Sequence, residues 1–428
     1  MKFNKWTLGL AAVGAVSLAS AVRADEAPKM SQIQTALSNT TISGYVDVAA
    51  QYNAGNYAFV PTVNGNGSTQ YPHNVSGVPA GSGLNTFSGP SKIDSFTLND
   101  VDIAIDKPQD DTPWASGYHI DLNWGADALN GAFSTAGYAA GTVASGGANA
   151  VPAVNAAQNF GVRQAYVVIR TPLGNGIDWK VGVQDDIIGY EGNTDGANPN
   201  YTRSYGYFLE PQTLTGIVGT YKVCNLLTVQ GGIADATSGN NSLSSKTYVG
   251  AVALTAPDNW GFLKGSTLNG GVVLNLENFG QCNYYVGSTI NTPWSMLKVG
   301  GAFDLASVAD SQTGAGPQND SGWVVALYAN LQATDKLSFN VRGEYFDLQA
   351  GVNPYAFGTP NLVNNGKGEE VTATLQYNLW ANVISRVEFR WDHVDEGNAF
   401  GGAANFGFTP GPANANSYLM AANLIYQF

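Results

Sequence analysis

Arg386, Glu388, Arg390 and Asp392 alternate with Val383, Val387, Phe389 and Trp391. At a spacing of two, the four ionisable side chains share one face of an extended strand and the apolar ones share the other. The chemistry open to such a face is electrostatic: pairing opposite charges, ordering water, and orienting ions or dipolar solutes. The division recurs elsewhere. Arg342 and Glu344 oppose Phe339, Val341 and Tyr345. Asp178, Lys180, Gln184 and Asp186 oppose Ile177, Trp179, Val181 and Val183. Lys298 and Asp304 oppose Leu297, Val299, Phe303 and Leu305, and His119, Asp121 and Asn123 oppose Tyr118, Ile120, Leu122 and Trp124. Catalytic chemistry has no comparable signature. The 3 histidines (His73, His119, His393) are well separated, and no His-Glu-x-x-His, Cys-x-x-Cys, Gly-x-Ser-x-Gly or phosphate-loop motif is present, so neither an enzyme nor a metal or cofactor site is expected. Gly192-Asn-Thr-Asp-Gly196 matches only a fragment of a calcium loop.

Strands that are charged on one face and greasy on the other need a solvent for each. Arg or Lys facing lipid at mid-bilayer costs about 2–4 kcal/mol, so the charged faces must point away from lipid. The chain end fits the same scheme: Tyr418, Met420, Ala422, Leu424, Tyr426 and the terminal Phe428 fall on one apolar face, as in the closing strand of an outer-membrane barrel. From Thr41 onward about 16 such segments can be laid out, near 41–53, 92–106, 115–125, 160–171, 176–187, 212–222, 226–235, 246–256, 264–276, 283–292, 295–306, 321–333, 337–348, 368–380, 382–393 and 417–428. Short turns such as Pro172-Leu-Gly-Asn-Gly176 and Ala381-Asn382 alternate with long polar loops at 54–91, 126–159, 188–211, 349–367 and 394–416. Trp114, Trp124, Trp294, Trp323, Trp380, Tyr377 and Tyr426 gather near segment ends, as interfacial girdles require. The expected fold is all-β: a transmembrane antiparallel β-barrel with short periplasmic turns, long extracellular loops and at least one loop folded into the lumen.

Lys2 and Lys5, an apolar run from Leu8 to Leu18 and small residues up to Ala24 read as a secretory signal over 1–24, followed by a leader over 25–40 and the barrel over 41–428. Charged residues make up only 12%, with mean hydropathy of −0.09, which suits a barrel that needs apolar residues on alternate positions only. Without Lys2, Lys5 and Arg23, 32 Asp and Glu stand against 16 Lys and Arg, a net of −16. Such a surface argues against nucleic acid and for a cation-attracting vestibule.

Ile42-Ser-Gly-Tyr-Val-Asp47, Phe160-Gly-Val-Arg-Gln-Ala-Tyr166, Val181-Gly-Val-Gln-Asp-Asp-Ile-Ile-Gly-Tyr-Glu191, Asn200-Tyr-Thr-Arg-Ser204 and Pro211-Gln-Thr-Leu-Thr-Gly216 together resemble the OmpL-like β-barrel porins. That resemblance spans most of the mature chain and implies a diffusion channel in the bacterial outer membrane, with no particular substrate. The expected function is passive diffusion of small hydrophilic solutes and ions, with membrane lipid as surroundings and, by analogy with barrels of this size, a homotrimer as the assembly. The pore-lining residues would be Lys180, Asp186, Glu191, Lys298, Arg342, Glu344, Arg386, Glu388 and Arg390, with Arg342, Arg386 and Arg390 facing acids of the infolded loop. The rivals are a surface structural or adhesive barrel with a blocked lumen, and an exported soluble β-sandwich. Cys224 and Cys282 fall at opposite ends of the barrel wall, about 25 Å of apolar band apart, so no disulfide joins them.

Overall fold

The computed structural model describes residues 33–34, 39–54, 62–63, 69–70, 96–125, 127, 160–237, 246–275, 280–311, 318–349, 352, 366–395 and 415–428. The expected signal over 1–24, most of the expected leader and most of four of the five long loops lie outside them. Sixteen strands carry the architecture: β1 (Thr41–Ala54), β2 (Phe96–Lys107), β3 (Ser116–Trp124), β4 (Phe160–Thr171), β5 (Ile177–Asp185), β6 (Thr213–Lys222), β7 (Leu227–Thr237), β8 (Thr247–Thr255), β9 (Thr267–Asn275), β10 (Gln281–Asn291), β11 (Leu297–Ser311), β12 (Gln318–Gln332), β13 (Leu337–Leu348), β14 (Gly366–Trp380), β15 (Val383–Val394) and β16 (Asn416–Gln427). Each pairs antiparallel with the next, and β16 pairs with β1, so the sheet closes and no backbone edge is left for lipid to meet. Closure extends to the last residue: Phe428 N–H donates to the Gly44 carbonyl at 3.0 Å and Gly44 N–H to the Phe428 carbonyl at 3.1 Å. Ahead of β1, Ile33 and Gln34 pair with Ile42 and Thr41.

Side-chain alternation follows the sequence. On β16, Tyr418, Met420, Ala422, Leu424 and Tyr426 are exposed while Ser417, Leu419, Ala421, Asn423 and Ile425 are buried. On β15, Arg386, Glu388, Arg390 and Asp392 are buried, and Val387 and Phe389 are exposed. Val383 pairs with outward Tyr426 but is covered, at 8% exposure. Trp114, Trp294, Trp380, Tyr377 and Tyr426 are exposed around the short-turn end, and Trp124 stands at the other. The alternation breaks at bulges, two of which turn adjacent polar residues inward. The pairs Asp47 with Asp100 and Val48 with Leu98 leave Asn99 as an extra residue on β2, so Asn99 and Asp100 are both buried. On β4, the pairs Asp121 with Gln164 and Leu122 with Val162 leave Arg163 as the extra residue, and Arg163 and Gln164 are both buried.

Cys224, in the β6–β7 turn, and Cys282, near the loop end of β10, are both free, as their placement at opposite ends of the wall requires.

A candidate constriction inside the barrel

Between β5 and β6 the chain does not turn back at the rim. Residues 186–212 cross the interior and rest on the opposite wall, and they include the short helix α1 (Tyr205–Leu209). Two apolar anchors hold the ends of the segment. Ile187 and Ile188 pack among Leu214, Val218, Val249 and Val273 of β6, β8 and β9. Tyr205 and Leu209 pack among Ala306, Val324, Phe346 and Leu348 of β11 to β13, with Tyr205 stacked on Phe346 at 4.1 Å. Glycine makes room for the first anchor: a Cβ on Gly271 would lie 2.6 Å from Ile188, and one on Gly300 would lie 2.0 Å from the Tyr190 hydroxyl.

Between the anchors the fastening is polar. Register aligns four interior rows across β13, β14 and β15: Ser338–Gln376–Arg386, Asn340–Thr374–Glu388, Arg342–Thr372–Arg390 and Glu344–Glu370–Asp392. Three carboxylates directly opposite one another repel, and the arginine row beside them offsets this. Arg342 Nε lies 3.3 Å from Glu344 and 3.1 Å from Glu370, and Arg390 Nη2 lies 2.7 Å from Asp392. The three wall arginines also hold the loop. Arg342 Nη1 donates to Glu191 at 2.8 Å and to the Thr202 carbonyl at 2.7 Å; Arg390 Nη1 donates to the Arg203 carbonyl at 2.7 Å; Arg386 Nη2 donates to the Asn198 carbonyl at 2.7 Å. In the opposite sense, loop N–H groups donate to wall carboxylates: Tyr201 and Thr202 to Glu388 at 2.5 and 2.8 Å, and Tyr205 to Glu344 at 3.0 Å. Buried backbone groups in a loop without regular structure need such partners, and charged ones give the stronger hydrogen bonds.

Six of the nine side chains expected to line the pore therefore meet at this junction: Arg342, Glu344, Arg386, Glu388 and Arg390 from the wall and Glu191 from the loop, all within 6% exposure. The other three stand apart. Lys180 is half-buried on β5 with its ammonium over the Tyr166 ring at 4.6 Å, Lys298 is half-buried on β11, and Asp186 is half-buried at the loop root. The expected pairing of wall arginines with loop acids holds at Arg342 and Glu191 only. Arg386 and Arg390 meet loop carbonyls instead, because the loop carries its own cation: Arg203 takes Asp195 at 2.9 Å, while Arg163 takes Asp185 at 2.9 Å. Asp195 is thus committed to an ion pair, and among the described residues no acid and histidine group is arranged to hold a metal ion. Glu370 and Arg203 are the members of the network that the strand reading passed over. Glu370-Thr372-Thr374-Gln376, alternating with Val371, Ala373, Leu375 and Tyr377, carried the signal for the first.

The wall next to the junction, beyond β16, has a different character. Asp47, Asp100, Asp102 and Asp121 on β1 to β3 are buried around Asn123 and Tyr45, with Tyr45 donating to Asp100 at 2.7 Å. Arg163 reaches both Asp121 and Asp185. Water reaches further along this wall, at Asp106, Asp178 and Asp185, whose side chains are 41%, 22% and 25% exposed. At the loop root, burial pushes the carboxyl of Asp186 well above the usual carboxylate range, with the charge of Asp185 adding to it. Glu210 is pushed up likewise, by burial and then by Asp304.

A closed 16-stranded antiparallel barrel, apolar outside and charged inside, with a loop fastened across its lumen, defines a porin of the bacterial outer membrane. The chain belongs to the family described as "Putative beta-barrel porin-2, OmpL-like", whose model matches residues 39–428. No curated protein sequence matches it. Among solved structures it is similar to the outer-membrane channel DcaP of Acinetobacter baumannii, with TM-score 0.53 and 10% identity over 92% of this chain and 99% of that one. It is also similar to the anion-selective porin from Comamonas acidovorans, with TM-score 0.50 and 10% identity over 91% and 99%. A third likeness is to in-vitro folded OmpT of Vibrio cholerae, with TM-score 0.50 and 11% identity over 93% and 100%. At such identities the likeness concerns the fold alone.

Proposed function

We propose that this porin is a passive channel for small hydrophilic solutes and ions, that residues 186–212 narrow it, and that it prefers cations. The observation that carries the reading is the distribution of charge with water access. The basic side chains of the junction are covered by the loop, whereas on β2 to β5 water reaches the acids Asp106, Asp178 and Asp185 against the single lysine Lys180 of the lining. Fixed negative charge along a narrow water path raises local cation concentration and repels anions. A barrel of this strand number is too wide for its own side chains to fill, which supports a path beside the loop. Within that path Lys180, Asp186 and Lys298 belong to the lining, and Glu191, Arg342, Glu344, Arg386, Glu388 and Arg390 set its width by holding the loop. The mature barrel acts without cofactor or catalysis, and a homotrimer is the proposed assembly, by analogy with barrels of this size.

Purified protein in a planar bilayer should give steady conductance steps, and a potassium chloride gradient should give a reversal potential of the cation-selective sign. Absence of conductance in a folded, inserted barrel would overturn the channel reading in favour of a blocked surface scaffold. An anion-selective potential would overturn the charge argument alone.

A further inference from the structure

Register sets Asp106 of β2, His119 of β3, Tyr166 of β4 and Gly182 of β5 side by side on the inner wall. His119 is held there by its neighbours on both flanking strands. Its Nδ1 lies 3.1 Å from Asp106 and its Nε2 lies 3.9 Å from Asp121. Its ring stacks on Tyr166 at 5.2 Å, and the Tyr166 ring in turn carries the Lys180 ammonium at 4.6 Å. Both ring nitrogens thus face carboxylates. An imidazolium is attracted by both acids, whereas in the neutral ring Nδ1–H still donates to Asp106 and Nε2 turns a bare lone pair toward Asp121, with no hydrogen-bond partner of its own. Arg163 also pairs with Asp121, so loss of the ring proton leaves no buried acid orphaned, and the wall can hold either form. The imidazole is 18% exposed beside Asp106, whose side chain is 41% exposed, so lumen water reaches it.

We propose that His119 sets the strength of the porin's cation preference: its proton offsets the acids of the water path along β2 to β5, and loss of that proton lets them act in full. The proposal rests on the porin reading and names the residue that tunes its selectivity. Imidazole is the side chain whose charge ordinarily changes near neutral pH. The charged and titratable groups around it are Asp102 and Asp106 on β2, Asp121 on β3, Arg163 and Tyr166 on β4, and Lys180 and Asp185 on β5. Of the other histidines, His73 lies outside the described residues, and His393 meets Asn416 near the loop end of β15. One positive charge gained or lost beside a narrow water path changes how ions partition into it. The sign follows from the chemistry: as pH rises the ring becomes neutral, the path becomes more negative, and cations are favoured more strongly.

Reversal potentials of the inserted protein in a potassium chloride gradient at low ionic strength, read from about pH 5.5 to about pH 8.5, test this. The potassium-to-chloride permeability ratio of the parent should rise with pH by about threefold or more. His119→Gln should hold the parent's high-pH ratio at every pH, His119→Lys should hold a lower one, and His393→Gln should keep the parent's step. A parent ratio that does not move with pH, on steady conductance steps, overturns the role of His119 and leaves the porin reading standing. A step that survives undiminished in either His119 variant, on protein that migrates as the folded barrel, also overturns it. A parent that inserts without conducting overturns both readings.

Discussion

Arg342 is the most heavily committed side chain of the junction. With no exposed surface, it contacts Glu191, Glu344 and Glu370 and donates to the carbonyls of Thr202 and Arg203. Its planar guanidinium can meet wall and loop at once, which an ammonium on a single stem cannot. Removing it would strand three carboxylates away from water, and breaking a buried ion pair in that way costs about 3–5 kcal/mol. Arg342→Met should therefore lower the thermal midpoint of the folded barrel and release the loop, seen as noisier single-channel current. Arg342→Lys should fall between parent and Arg342→Met. A thermal midpoint and current noise equal to the parent's in Arg342→Met would show that the apolar anchors alone seat the loop.

At the scale of elements, the strands were legible because each satisfies two solvents at a period of two. Leu424 shows how strongly the outer face is constrained. It is 41% exposed between outward neighbours on β16, the strand whose pairing with β1 closes the barrel. Leu424→Asp should prevent insertion, because it puts a charge toward lipid on the closing strand. The variant should appear in the periplasmic fraction or as unfolded protein, and normal heat-modifiable protein in the outer membrane would contradict the assignment of that face. What alternation could not reveal lies where the period breaks. Counting by two places Arg163 and Gln164 on opposite faces, yet the β4 bulge turns both inward, and Asn99 with Asp100 does the same on β2. Arg163 was thereby lost to the strand reading, although it neutralises Asp121 and Asp185. The loop was expected to enter the lumen on length and position, but its partners depend on backbone carbonyls and N–H groups, which every sequence has. Nothing in the residues of 186–212 announces that Arg386 will hold the Asn198 carbonyl or Glu388 the N–H groups of Tyr201 and Thr202.

Across the whole molecule, the barrel combines a net acidic chain with buried arginines that serve architecture as much as field. Arg386 and Arg390 separate the two contributions. They lie on one strand, four residues apart, both bonded to loop carbonyls, and Arg390 also offsets Asp392 and Glu370. Replacing both by glutamine removes two positive charges and two loop tethers, so two effects should follow. Release of the loop enlarges and destabilises the open current, and because it is mechanical it should persist at high salt. The uncovered negative charge raises cation preference by an amount on the order of 1 kcal/mol at an effective dielectric near 20. That part should fade as the screening length shortens from about 30 Å at 0.01 M to about 3 Å at 1 M salt. Single-channel conductance and reversal potentials of Arg386→Gln/Arg390→Gln across that range, recorded on protein that migrates as the folded barrel, distinguish them. A change confined to low salt would mean that the arginines act through their field and the loop is held elsewhere. A match to the parent at every salt concentration would remove both residues from the constriction and, with them, the claim that the β15 face governs passage.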